Sequence, residues 1–76
     1  MPLSDAQLMM RVKKGDREAF NVIVRRYQTS LVNFFYRCLW DRSRAEDFAQ
    51  DVLLKVYSAR KGYSVRSKFK TYLFRI

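Results

Sequence analysis

Phe20, Ile23, Val24, Tyr27, Leu31, Phe34, Phe35 and Cys38 recur at spacings of 3, 1, 3, 4, 3, 1 and 3. That rhythm is one face of an α-helix carried over five turns. A strand, whose side chains alternate with a period of two, cannot collect these residues on one side. Arg17, Arg25, Thr29, Asn33 and Arg37 fall away from the stripe. A helix with so long an apolar side has to be covered by other elements, and the rest of the chain reads as further helices.

Ser4 and Gln7 have the spacing of a capping box, with Leu3 and Leu8 as the flanking staple. They predict a first helix whose buried side is Leu8, Met9 and Val12, with Lys13 and Lys14 at its C-terminus and Gly15 to end it. Asp16 caps the long helix, which should stop near Leu39, with Trp40 as a lid over the end of the core. Ser43 and Glu46 read as a second capping box that opens a third helix, with Ala45, Phe48, Ala49, Val52, Leu53 and Val56 facing inward. The pattern breaks around Lys61–Val65, which reads as a loop. Ser67 is expected to cap a fourth helix buried through Phe69, Tyr72, Leu73 and Ile76. Arg25 and Arg26 read as solvated, and Cys38 as core. The expected fold is all-α, a compact bundle of about four helices.

The chain has 76 residues, enough for one core but a marginal one, since a chain of this size buries only roughly 60% of its unfolded surface. It has one Cys and no His. Those counts exclude an intrachain disulfide, a usual zinc ligand set, and Ser-His-Asp or Cys-His catalysis within these residues. No catalytic residue, metal or cofactor is expected. No apolar run approaches the roughly 20 residues of a membrane span, and Met1–Asp5 lacks the pattern of a signal peptide. A cytoplasmic chain without membrane insertion is the expectation. The last apolar stripe runs to Ile76 without a C-cap, which reads as a piece of a longer protein.

Sixteen Lys and Arg against seven Asp and Glu leave a net charge of +9, which asks for a polyanionic partner. The charge is segregated. Residues 41–54 carry Asp41, Glu46, Asp47 and Asp51 against Arg42 and Arg44. Residues 55–76 carry Lys55, Arg60, Lys61, Arg66, Lys68, Lys70 and Arg75 with no acid. On the third helix Asp47, Gln50, Asp51 and Leu54 share the side opposite the core. They form either a solvated face, with Asp51 and Lys55 as an ion pair, or a docking face centred on Leu54. In the basic segment the cations alternate with Tyr57, Tyr63, Phe69, Tyr72 and Phe74. Cations on phosphates and rings under bases are how single-stranded nucleic acid is held. Phe69 and Leu73 fit ordinary core; Tyr63, on a loop, has no helix face to fill.

Three segments stand in a telling order: Gly15-Asp16-Arg17-Glu18-Ala19-Phe20, Ala45-Glu46-Asp47-Phe48-Ala49-Gln50-Asp51-Val52, and Phe69-Lys70-Thr71-Tyr72-Leu73-Phe74-Arg75-Ile76. Together they resemble region 2 of bacterial RNA polymerase sigma factors, most of all the extracytoplasmic-function group. The resemblance covers the chain from about Asp5 to Ile76. It implies one region 2 domain over residues 1–76, with the last helix truncated and region 4 absent. It implies a transcription initiation factor that performs no bond chemistry. Asp47, Gln50, Asp51 and Leu54 would bind the RNA polymerase core at the coiled coil of the β′ clamp. Tyr63, Ser64, Arg66, Lys68, Lys70, Tyr72 and Arg75 would take the non-template single strand of the promoter's minus-ten element, with one base flipped into a pocket beside Tyr63. Tyr72 stands where the family usually carries Trp, and offers less stacking surface. The resemblance also implies an anti-sigma factor as a partner. The alternative is a helical protein-interaction module that docks such a regulator without reading DNA.

Overall fold

A computed structural model describes residues 3–64 and 68–74. It contains α1 (Asp5–Lys13), α2 (Arg17–Leu39), α3 (Arg42–Ser58), a 3-10 turn (Arg60–Gly62) and the short α4 (Phe69–Leu73). No strand occurs among the described residues. At about 1.5 Å rise per residue, the 23 residues of α2 set the 36 Å long dimension of the molecule.

The first two helices start where their caps predict. The Ser4 hydroxyl accepts from the Gln7 amide at 3.2 Å, and the Gln7 side chain accepts from the Ser4 amide at 2.9 Å. Gly15 adopts φ 97°, a left-handed turn that suits a residue without Cβ. Asp16 then caps α2 by accepting from the Ala19 amide at 3.1 Å. The third helix starts two residues earlier than the Ser43 box predicts. Asp41 is its N-cap, accepting from the Arg44 amide at 3.1 Å. The chain turns sharply at Trp40, whose φ of 55° is uncommon for a bulky residue and costs about 1–2 kcal/mol. That turn brings Asp41 into capping position before Ser43 is reached.

Met9, Val12, Ile23, Leu31, Ala45, Ala49, Val56 and Leu73 form the centre of the core. α1 and α3 both pack on α2. Arg26, read as solvated, is exposed and in addition ties α1 to α2: it pairs with the Asp5 carboxylate at 2.9 Å and donates to the Leu3 carbonyl at 2.6 Å. The Tyr27 hydroxyl donates to the same carboxylate. Burial, together with this hydrogen bond and the charge on Asp5, pushes the Tyr27 phenol up to about 12.

Four apolar expectations fail at one end of the bundle. Cys38 is exposed, Phe34 is 45% exposed and Phe48 is about as open. Trp40 is 78% exposed and so is no lid over the core; its ring meets Tyr36 edge-on. Phe34, Phe35, Cys38, Leu39 and Phe48 line an open apolar depression of about 240 Å³. α2 outruns the described elements that cover it there.

Tyr63 departs from its expectation in the other direction. Its ring is 3% exposed and lies edge-on to Tyr72 at 5.1 Å, with Phe69 beyond at 6.4 Å. Phe69 in turn meets Tyr27 at 5.3 Å. The loop aromatic has no helix face of its own, so it fills the gap between α4 and the rest of the core. Ser67 and Ile76, assigned to the fourth helix, lie outside the described residues, and Lys68 occupies the N-cap position without a side-chain cap.

Tyr63→Ala is expected to cost about 3–5 kcal/mol in urea unfolding, the scale of a buried aromatic truncation, while Tyr63→Phe stays close to the parent. The phenol of Tyr27 is protonated more tightly in the folded chain than in the unfolded one. Its contribution is therefore complete below pH 10 and is lost as pH rises towards 12. Denaturant midpoints should fall across that window, and Tyr27→Phe should remove this part of the alkaline loss.

Candidate interaction surfaces

Asp47, Gln50, Asp51 and Leu54 are all exposed along α3, where the helical spacing expects them. Leu54 is 54% exposed, a large apolar side chain amid polar ones. Among the described residues the one ion pair is that between Asp5 and Arg26, so Asp51 and Lys55 are not paired. Sequence reasoning had only half of this surface. Glu46, Asp47, Gln50 and Leu54 form one wall of a groove of about 300 Å³, and Phe20, Val24 and Gln28 of α2 form the other. A second groove of about 440 Å³, lined by Arg17, Glu18, Asn21 and Tyr57, meets the first at Phe20 and Leu54. The rings of Phe20 and Tyr57 pack at 4.9 Å under this junction. The row Arg17, Phe20, Asn21, Val24 and Gln28 has helical spacing and was visible in the sequence. Its membership in the site depends on α3 lying beside it.

The basic surface is built around α4. Ser64, Lys68 and Lys70 are exposed, and Tyr72 is half-buried. Tyr72 is the outer ring of the cluster that buries Tyr63, so Tyr72 has a face towards solvent and Tyr63 has none. The expectation of Tyr63 as a free stacking ring is corrected by this packing. Burial, then the neighbouring Tyr72, raises the Tyr63 phenol above its ordinary value. Arg66 and Arg75 lie outside the described residues. Lys13, read as a helix-end charge only, reaches across to donate to the Tyr63 carbonyl at 2.8 Å. No sequence signal links residues so far apart in the chain. The Arg60 guanidinium sits 4.2 Å over the Tyr57 ring and donates to the Tyr57 carbonyl at 3.0 Å, closing the end of α3.

Among the described residues there is no cluster of three or more potential metal-ligating side chains, and no helix is long and apolar enough to cross a membrane. The two surfaces present paired chemistry for binding: carboxylates around an apolar anchor on α3, cations beside rings on α4.

Residues 23–76 match the Sigma-70 region 2 family. The chain is 38% identical over 72 residues to the RNA polymerase sigma-H factor of Pseudomonas aeruginosa, covering 95% of this chain and 37% of that protein. It is 38% identical over 66 residues to the ECF RNA polymerase sigma factor SigW of Bacillus subtilis, covering 87% of this chain and 35% of that one. The chain thus spans less than two fifths of the length of these curated relatives. Among solved structures it is similar to an engineered region 2 of sigmaE, determined by NMR in complex with GTAAAA. The TM-score is 0.86 at 36% identity, over 96% of this chain and 76% of that one. With a family match over residues 23–76 and relatives this similar, the chain belongs to the Sigma-70 region 2 family, as a region 2 domain of an extracytoplasmic-function sigma factor.

Proposed function

We propose that this domain works in transcription initiation, joining the RNA polymerase core to the single-stranded minus-ten element of a promoter. The observation that carries the reading is the pairing of a segregated basic, aromatic surface on α4 with a fold like that of a region 2 bound to GTAAAA. Lys68 and Lys70 take phosphates, Tyr72 offers its open face to a base, and Ser64 supplies a hydroxyl at the edge. Arg66 and Arg75 belong to the same proposal from the sequence alone. Tyr63 enters it in a changed role: its buried ring holds Tyr72 in place, and Lys13 holds its carbonyl. Opening the duplex costs a few kcal/mol for each unstacked base, which pocket and phosphate contacts must return.

On the other side, Asp47, Gln50, Asp51 and Leu54 bind the β′ clamp coiled coil. Support comes from their shared exposure and from the groove that Leu54 and Phe20 floor. An acidic face for the polymerase and a basic face for DNA orient one small body between two partners of opposite charge. No bond is made or broken, and the domain acts in the cytoplasm, where its partners are. An anti-sigma factor that occupied the same α3 groove would block the polymerase contact. The reading of the domain as a regulator-docking module without DNA readout rests on that groove alone and leaves the α4 cations unused.

Asp47→Lys or Asp51→Lys is expected to weaken binding to the isolated β′ clamp coiled coil about tenfold or more, with unfolding curves unchanged because both carboxylates are exposed. Unchanged affinity removes the α3 face from the polymerase contact. For single-stranded GTAAAA, log affinity should fall with log salt at a slope of about −0.7 for each phosphate neutralised. A flat dependence removes α4 from the DNA contact and favours the regulator-docking module.

A further inference from the structure

The neighbouring side of α2 carries a stripe that no part of the preceding proposal uses. Ser30, Asn33, Phe34 and Arg37 stand at i, i+3, i+4 and i+7, and all four are exposed. At about 100° per residue this stripe lies on the far side of α2 from the Phe20, Val24 and Gln28 wall of the acidic groove. Lys70 of α4 and its C-cap residue Phe74 face it, and the six residues enclose a groove of about 250 Å³. The Phe34 and Phe74 rings meet edge-on at 5.4 Å across the groove, and Phe35 braces Phe34 from behind at 5.4 Å.

Building on the single-strand reading above, we infer that this groove is a second nucleotide subsite, in which α2 holds one base and its phosphate. The lining has two cations, Arg37 and Lys70, and no carboxylate, which suits a phosphodiester. Its two phenylalanines give a base an aromatic surface that is braced in place rather than swinging free. Asn33 and Ser30 supply an amide and a hydroxyl at the rim. An Asn amide can both accept from and donate to an adenine edge, which makes adenine the favoured occupant. The volume falls below the roughly 300–1,000 Å³ of ordinary ligand pockets and suits one planar base. Lys70 is common to this groove and to the α4 surface, so a strand lying along α4 passes over it without a break. Sequence specificity would then be shared between α4 and the middle of α2.

The test uses the 76-residue chain and fluorescently labelled single-stranded GTAAAA, together with versions in which each base is replaced in turn. Anisotropy titrations compare the parent with Asn33→Ala and Arg37→Ala, and with Lys68→Ala as a control outside the groove. Both groove positions are exposed, so the variants keep the fold. Asn33→Ala should lose about 5- to 150-fold discrimination at one adenine position and leave the other positions alone. Arg37→Ala should weaken every sequence alike and make the salt slope shallower by about 0.7. If both variants match the parent while Lys68→Ala loses affinity, the α2 subsite is overturned and the single-strand reading stands. If the parent does not bind the oligonucleotide at all, both fall.

Discussion

The long apolar stripe of α2 has to be kept from water, and the rest of the architecture answers that need. α1 and α3 are laid against it, and the loop after α3 folds back so that Tyr63 and α4 complete the cover. A chain this small has little apolar area to spare. Even the loop aromatic is drawn into the core, and a single carboxylate, Asp5, ties α1 to both Arg26 and Tyr27 of α2. Covering α2 is also what creates the surfaces. Packing α3 beside α2 places Leu54 next to Phe20, and packing α4 beside it places Lys70 and Phe74 next to Phe34 and Arg37.

Because both surfaces share α2 as a wall, their separation follows from helix geometry. Residues at positions such as 20, 24 and 28 occupy one flank, and 30, 33, 34 and 37 the other. The carboxylates of the first groove, Glu46 and Asp47, come from α3, and the cations of the other, Arg37 and Lys70, come from α2 and α4. A body of this kind can be held by two partners at once with neither competing for the other's contacts.

The helices and their starts were legible where the signal is local. Ser4, Asp16 and Gly15 act within one turn of themselves, and the apolar spacing of α1, and of α3 apart from Phe48, survives into the core. Asp47, Gln50, Asp51 and Leu54 were legible as one exposed face for the same reason: neighbours on a helix stay neighbours. Ser43 misled because two residues only two positions apart, Asp41 and Ser43, both make good caps, and the turn at Trp40 chose between them. Cys38, Phe34 and Phe48 misled because periodicity reports which side is apolar and not whether anything lies over it.

Residue order and helical periodicity were sufficient to determine the all-helical class, the long central helix, the separation of acidic from basic segments and the face that Leu54 anchors. Each of these depends on residues within a few turns of one another. Tertiary packing alone decided that Tyr63 is a buried brace, that Lys13 grips its carbonyl, that Arg26 is paired, and that α2 walls both grooves. Those outcomes join residues far apart in the chain. They are set by which gap each side chain fills once the helices have docked, and no local spacing encodes that.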